Sequence, residues 1–243
     1  MAARALSVAQ ACDAAAVVDL ARQSVRELNA VLHALGPEDN RTQWRVLNPA
    51  ARHALAVGLA QPVTVEIAGH AGYYCAGMNQ HARVIVGGNA STGVAENMMS
   101  GFVHVRGDAS QSAGASAHGG MLLIDGNAAA RCGISLKGAD IVVKGSVGHL
   151  SAFMAQAGTL VVLGDAGESL GDSIYEAHLY VRGRVAGLGA DCVPKEMHEP
   201  HRAELHAKLA AAGLAGEVDI GDFRRYGSAR RLYTFHVDNA AAY

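Results

Sequence analysis

The stretch Val84-Ile85-Val86-Gly87-Gly88-Asn89 is answered 19 residues later by Val103-His104-Val105-Arg106-Gly107-Asp108, and again by Leu122-Leu123-Ile124-Asp125-Gly126-Asn127. Extending this frame both ways finds glycine at Gly69, Gly88, Gly107, Gly126, Gly145, Gly164 and Gly183. Two and four residues before each marker stands an aliphatic side chain, from Val65 and Ile67 through to Leu179 and Val181. Seven residues after each marker the side chain is Ala or Gly (Ala76, Ala95, Gly114, Gly133, Ala152, Gly171, Ala190), and two after it is Ala or Val. An internal period of this kind is the signature of a solenoid.

The alternation before each marker is the pattern of a short strand with one buried face. Such a strand is too short to stand alone, so it must stack on its copies. A 19-residue unit with one strand, Gly-rich corners and no helical period predicts one coil of a right-handed parallel β-helix, since parallel crossovers favour that hand. Seven coils spaced at roughly 4.8 Å would extend on the order of 30 Å. The expected fold class is therefore an all-β solenoid spanning 61–190, preceded by a helical cap and lead-in (1–60) and followed by a helix and an Arg-rich docking tail (191–243), all one structural domain.

Composition narrows the function. The chain has 243 residues, half of them hydrophobic, and a formal charge of -2, which indicates no general attraction to nucleic acid or acidic membranes. No long apolar run follows basic residues at the N-terminus, so neither a secretory signal nor a membrane span is expected, and the cytoplasm is the expected location. Cys12, Cys75, Cys132 and Cys192 lie 63, 57 and 60 residues apart, without the close spacing of metal or iron–sulfur sites. Reduced, buried cysteines are expected.

Residues 13–35 carry Val17, Leu20, Ala21, Val25, Leu28, Val31, Leu32 and Leu35 at helical spacing, with Asp13 placed to cap the start and Gly36-Pro37 to stop the helix. Its apolar face either covers an end of the solenoid or docks on another chain. A turn-rich passage, Gly36 to Asn48, leads into the coils. The column after the markers (His70, Asn89, Asp108, Asn127, Ser146, Asp165, Arg184) suits a hydrogen-bonded ladder better than a calcium site, because its two aspartates stand three coils apart. The column before the markers sets Arg106, Asp125 and Lys144 one rung apart, as exposed ion pairs of small energetic weight. Three residues before the markers Leu123, Val142 and Val161 form an outward apolar ridge, to be covered by the chain's own C-terminal segment or by a partner.

Glu96, Asn97, Met98 and Met99 form the least repeat-like part of a coil and suit a contact surface more than a catalytic acid. His118, His149 and His178 fall in different columns, so they do not converge on a metal. Glu199-Pro200 opens a second helix that ends at Gly213. Beyond it, Arg224, Arg225, Arg230 and Arg231 cluster with Phe223 and Tyr226, which suits a protein contact better than single-stranded nucleic acid in a slightly acidic chain. Tyr233, Phe235 and Val237 alternate as an added edge strand would.

These residues carry a resemblance. The glycine pattern resembles the GXGXG domain at the C-terminal end of the glutamate synthase large chain, a right-handed β-helix. The strings Gly93-Val-Ala-Glu-Asn-Met-Met-Ser-Gly101, Gly114-Ala-Ser-Ala-His-Gly-Gly120, Gly145-Ser-Val-Gly-His-Leu-Ser-Ala-Phe-Met-Ala-Gln-Ala-Gly158, Gly164-Asp-Ala-Gly-Glu-Ser-Leu-Gly-Asp-Ser-Ile-Tyr-Glu-Ala177, Leu188-Gly-Ala-Asp-Cys192 and Phe223-Arg-Arg-Tyr-Gly-Ser-Ala-Arg230 are similar to the stand-alone GXGXG subunit of N-methylglutamate synthase and of rhizobial glutamate-synthase-like proteins. The resemblance implies a non-catalytic scaffold subunit, with no catalytic, cofactor or metal residue of its own. It would hold an amidotransferase-like subunit and a synthase subunit carrying FMN and an iron–sulfur cluster, in an assembly that converts glutamate and methylamine to N-methylglutamate and ammonia. The candidate partner contacts, read from the residues themselves, are Glu96, Asn97, Met98, Met99, Leu123, Val142, Val161, Arg224, Arg225, Arg230 and Arg231.

Two rival readings remain. The solenoid also resembles the C subunit of formylmethanofuran dehydrogenase and its formyl-hydrolysing relatives. A polysaccharide-acting β-helix enzyme would need an aromatic-lined groove, whereas residues 76–174 hold only Phe102 and Phe153 as aromatics.

Overall fold

Our computed structural model describes residues 15–230. Nine parallel strands stack in chain order: β1 (Ala16–Asp19), β2 (Gln43–Leu47), β3 (Thr64–Ile67), β4 (Arg83–Val86), β5 (Phe102–Val105), β6 (Met121–Ile124), β7 (Lys137–Val143), β8 (Ala157–Val162) and β9 (His178–Val181). From β3 to β6 the register is 19 residues per coil, Val65 opposite Val84, Val103 and Leu122. The residues two and four before each marker point inward and are fully buried, so copies of one aliphatic pair make the continuous core. Burying each such side chain is worth about 1.5–3 kcal/mol. This is the expected all-β solenoid.

The repeat columns have distinct physical causes. Two residues after the marker, Ala71, Ala90, Ala109, Ala128, Val147, Ala166 and Val185 form a second parallel ladder of single β-bridges. The residues up to Ala166 are buried there, which leaves room only for small side chains. The marker glycines answer a different need. A Cβ on Gly107 would lie 2.1 Å from Asn89 Oδ1, and one on Gly126 2.3 Å from Asp108 Oδ1. Each of these glycines makes way for a side chain of the coil before it, so close approach, not an unusual φ, fixes it.

The Ala/Gly column seven residues after the marker has yet another cause. Ala76, Ala95, Gly114, Gly133, Ala152 and Gly171 all have φ between +54 and +68°. Residues five and nine after most markers share this handedness, including Tyr74, Leu150, Met78, Asn97 and Met154. Each coil therefore turns through an arc in which alternate residues are left-handed. Side chains at the outer positions of the arc project away from the core, and the middle one is packed against it. Asn97, expected in an irregular segment, occupies a regular place in this arc.

The N-terminal region departs from the sequence expectation. Instead of one helix over 13–35, β1 pairs with β2, and a shorter helix α1 (Val25–His33) is inserted between them. Its start is set by Ser24, whose hydroxyl accepts from the Glu27 N–H while the Glu27 carboxylate accepts from the Ser24 N–H. Asp13 lies outside the described residues. Strand pairing with Trp44–Leu47 overrides the 3.6-residue spacing of Val17 and Leu20. The passage taken as turn-rich contains β2, so the sheet starts at Ala16 and not near residue 61.

Helix α1 acts as the cap. Leu28 and Leu32 close the N-terminal end of the core. The Asn29 side chain accepts from Ala56 N–H at 3.1 Å and donates to Ala54 O at 2.8 Å. In later coils the equivalent N–H groups find the backbone of the preceding turn, as Ala95 N–H finds Cys75 O. The Asn29 amide thus replaces the peptide of a coil that is not there.

At the other end, β10 (Cys192–Lys195) and β11 (Arg224–Ser228) continue the sheet, with β11 antiparallel between β9 and β10. This reversal stops the stack, and Pro194 on the outermost strand blunts the exposed edge. Between them helix α2 (Glu199–Ala211), with Pro200 in its first turn and Gly213 beyond its end, folds over the outward ridge. Leu205, Leu209 and Ala212 pack there with Leu123, Val142, Val161 and Tyr180 into a second core. Of the two coverings open to the ridge, the chain's own C-terminal segment is the one present.

Candidate functional site

Most polar groups of the coils are committed to holding the stack together. In the column after the markers each side chain accepts a hydrogen bond from the N–H of the next coil. His70 Nδ1 takes Asn89, Asn89 Oδ1 takes Asp108, Asp108 Oδ1 takes Asn127, Asn127 Oδ1 takes Ser146, Ser146 Oγ takes Asp165 and Asp165 Oδ1 takes Arg184, all at 2.7–3.0 Å. The expected ladder is present, running from side chain to backbone. Arg184 is a donor only and stands in the last coil, where no further N–H has to be received.

The outward face carries two carboxylate centres. Asp125 binds Lys144 Nζ at 2.7 Å and His104 Nε2 at 2.9 Å. Burial opposes its ionisation, but the contacts with Lys144 and His104 outweigh burial and hold its pKa below the usual range. Arg106, expected beside it, is exposed, and His104 takes the second place. On α2, Glu204 accepts from the Tyr180 hydroxyl and pairs with His178 Nδ1 at 2.7 Å. Burial again opposes the charge, and the Tyr180 and His178 contacts lower the Glu204 pKa regardless. The Tyr180 hydroxyl is itself pushed up, by burial first and then by Glu204. With Lys208 bound to Asp140 at 2.9 Å, these contacts latch α2 onto the ridge.

The sequence-predicted contact residues separate on folding. Met98, Leu123, Val142 and Val161 are corrected: each is buried, Met98 in the main core and the others beneath α2, so none presents a surface on this chain. Met99 is about half exposed, and Glu96 and Asn97 are partly exposed beside it. Arg224 and Arg225 belong to β11 and so to the end of the sheet, which is not the docking tail the Arg-rich run suggested. Arg230 is paired with Glu176 at 2.8 Å, while Arg231, Tyr233, Phe235 and Val237 lie outside the described residues.

Cys75, Cys132 and Cys192 are reduced and buried, and burial pushes each thiol up to about 12, the wrong direction for a nucleophile. Cys12 lies outside the described residues. Among the described residues no group of three or more His, Cys, Asp or Glu side chains is placed to hold a metal. Nor is any helix there long and apolar enough to cross a membrane.

Several large apolar side chains are exposed as well. Tyr73, Tyr74 and Met78 on one coil, Met99 on the next and Met154 three coils further are each about half exposed. Tyr73 stacks on His53 at 4.3 Å, and the Tyr74 ring lies over Gly93, where any Cβ would meet it at 2.9 Å. Sequence reading singled out Met99 but missed Tyr74, Met78 and Met154, whose exposure depends on the left-handed arc that the glycine period does not reveal.

Fold and surface together define a capped parallel β-solenoid whose ladder of side chains serves its own stacking and whose turn arc carries exposed aromatic and methionine side chains. No family model matches the sequence. A curated protein does: the chain is 63% identical over 227 residues to Protein GlxC of Rhizobium meliloti (strain 1021), covering 93% of this chain and 99% of that protein. The chain belongs to the GlxC family, a membership consistent with the glutamate-synthase-like pattern of its repeat.

Proposed function

We propose that this chain is the β-solenoid scaffold subunit of a glutamate-synthase-type complex, and that the complex is an N-methylglutamate synthase. In that assembly an amidotransferase-like subunit and a synthase subunit with FMN and an iron–sulfur cluster carry the chemistry. The overall conversion is glutamate plus methylamine to N-methylglutamate plus ammonia. This chain contributes geometry: a rod whose coil spacing fixes the distance between the two partners.

The observation that carries the reading is the exposed set Tyr74, Met78 and Met154 on the turn arc, with Tyr73 and Met99 beside it. Aromatic and methionine side chains are enriched in protein interfaces, and methionine adapts to the surface it meets. Glu96 and Asn97 would flank this contact. The outward ridge is not available for it, being covered by α2.

The test is affinity purification of the chain from its native host at near-physiological salt, with mass spectrometry and an absorption spectrum of the eluate. A coloured complex with flavin absorbance and amidotransferase-like and synthase-like chains supports the proposal. A colourless chain that elutes alone, or with formyl-hydrolysing subunits, overturns it. In the purified complex, Met78→Glu combined with Met154→Glu should release at least one partner while the solenoid stays folded.

A further inference from the structure

At the C-terminal end of the sheet three strands bring Tyr180, Arg225 and Lys195 side by side, Arg225 opposite Tyr180 on β9 and opposite Lys195 on β10. Of these, Lys195 and Arg225 border a cleft of about 220 Å³. Like charges directly opposite across strands are destabilising, yet Lys195 and Arg225 are both only partly exposed. Among the described residues neither has a carboxylate within ion-pairing distance. Arg225 donates from Nη1 to the Glu196 carbonyl at 3.3 Å and lies near the Tyr180 hydroxyl, while its buried Nε has no partner among the described residues.

Among the described residues the neighbouring groups do not balance this charge. Glu176 is bound to Arg230, His178 to Glu204, and the Ser228 hydroxyl to Asp191 at 2.7 Å. Three permanent cations, Lys195, Arg225 and Arg230, thus line the cleft against one carboxylate, already paired. The space between them exists because Gly227, two residues from Arg225 on the same face, has no side chain. A Cβ there would meet only the Lys195 stem, at 3.6–3.8 Å, and the Ala177 carbonyl at 3.9 Å. Its φ is not in the left-handed region, so the backbone itself does not demand glycine. A glycine inside a strand often marks the close approach of a ligand.

We propose that this cleft binds a small oxyanion, a carboxylate or phosphate group seated over Gly227 between Lys195 and Arg225. The anion offsets two adjacent cations through charge-assisted contacts. The site is separate from the scaffold reading and does not depend on it.

The experiment is thermal unfolding of the full chain titrated with sodium phosphate and, separately, with sodium succinate, each against sodium chloride at equal ionic strength. Saturable stabilisation by phosphate, succinate or both, beyond the chloride control, is expected, and the stronger of the two identifies the anion class. Lys195→Gln should weaken the apparent affinity about tenfold, as loss of one charge-assisted hydrogen bond implies. Gly227→Leu should abolish the response with every charge in place. Lys195→Glu, which builds a carboxylate into the cleft, should leave the chain folded and unresponsive to either anion. Stabilisation no greater than that of chloride overturns the proposal, and so does an undiminished response in Lys195→Gln. If Gly227→Leu does not fold, the two Lys195 variants decide.

Discussion

Gly107→Ala tests the assignment of the marker glycines to the side chain of the preceding coil. The added Cβ would stand 2.1 Å from Asn89 Oδ1 and 3.0 Å from the Gly88 carbonyl carbon. Asn89 must swing away, so its 3.0 Å hydrogen bond from Asp108 N–H is lost, costing about 1 kcal/mol. Residual crowding against the Gly88 backbone adds about 1–3 kcal/mol. The reduced freedom of the unfolded chain returns about 0.4–1 kcal/mol. The net expectation is a loss of about 1–3 kcal/mol, read as a lower urea midpoint with an unchanged slope. Asn89→Ala alone should cost about 1 kcal/mol from the same lost bond. The two changes share that bond, and Asn89→Ala also removes the atom nearest the new methyl. The double variant should therefore be more stable than the sum of the singles implies, by about 1 kcal/mol or more. Additivity within about 0.5 kcal/mol, or a stabilising Gly107→Ala, would refute the reasoning.

Three further outcomes follow from the packing. Val142→Asp places a carboxylate without a partner in the second core, so α2 should detach, detected as protease cleavage within residues 199–211 in the isolated chain; resistance equal to the parent's would contradict it. Asn29→Ala strips the first coil of its stand-in peptide and should cost about 2 kcal/mol, with hydrogen exchange accelerated first at Ala56, whereas unchanged protection there would show the amide to be incidental. Asp125 and Glu204 have folded pKa values below their ordinary ones, so the unfolded chain binds protons more readily. Their contribution is fully present above about pH 4–5 and is lost as the pH falls through the lowered folded values. Glu204→Gln should flatten this acid limb of the stability curve, and a limb of the same steepness would remove Glu204 from the account.

The solenoid was legible because one geometric event recurs in every coil and leaves the same residue behind. Gly88, Gly107 and Gly126 are separated by one turn of backbone, and Val84, Val103 and Leu122 keep one inward position. The ladder was legible in kind, since Asn89, Asp108 and Asn127 all carry an acceptor oxygen two bonds beyond Cβ, but its partner was not, because a backbone N–H leaves no mark in sequence. Where the period stops, reading failed for the opposite reason. Val17 fits a helical spacing with Leu20 and Ala21 and became part of a strand because Trp44–Leu47 was there to pair with. Arg224 and Arg225 looked like a free basic tail, and the alternation of Phe223 and Tyr226 against the two different cores shows the strand only once β9 and α2 are in place. Lys195, Glu204 and Gly227 gain meaning only from neighbours far along the chain.

A parallel stack of identical coils has no intrinsic length, because each coil offers the next the same row of N–H and C=O groups it received. What makes this chain a finite object is the set of segments that break the repeat. Asn29 on α1 answers the first coil with a side-chain amide, and antiparallel β11 with Pro194 beyond it ends the last. Helix α2 covers the one apolar ridge that the strands expose. Each closure uses non-repeating sequence at a place where repetition would invite another chain. Among the described residues the turn arc receives no such covering, and Tyr73, Tyr74, Met78, Met99 and Met154 stand out on it or beside it. If those side chains were only tolerated corner residues, Met78 and Met154 should be replaceable by glutamate with no consequence for any complex. The same double change should dissociate a partner if the open side of the rod is where the assembly is built. Sedimentation of the purified complex, with the isolated chain's melting curve as the control for folding, separates these outcomes.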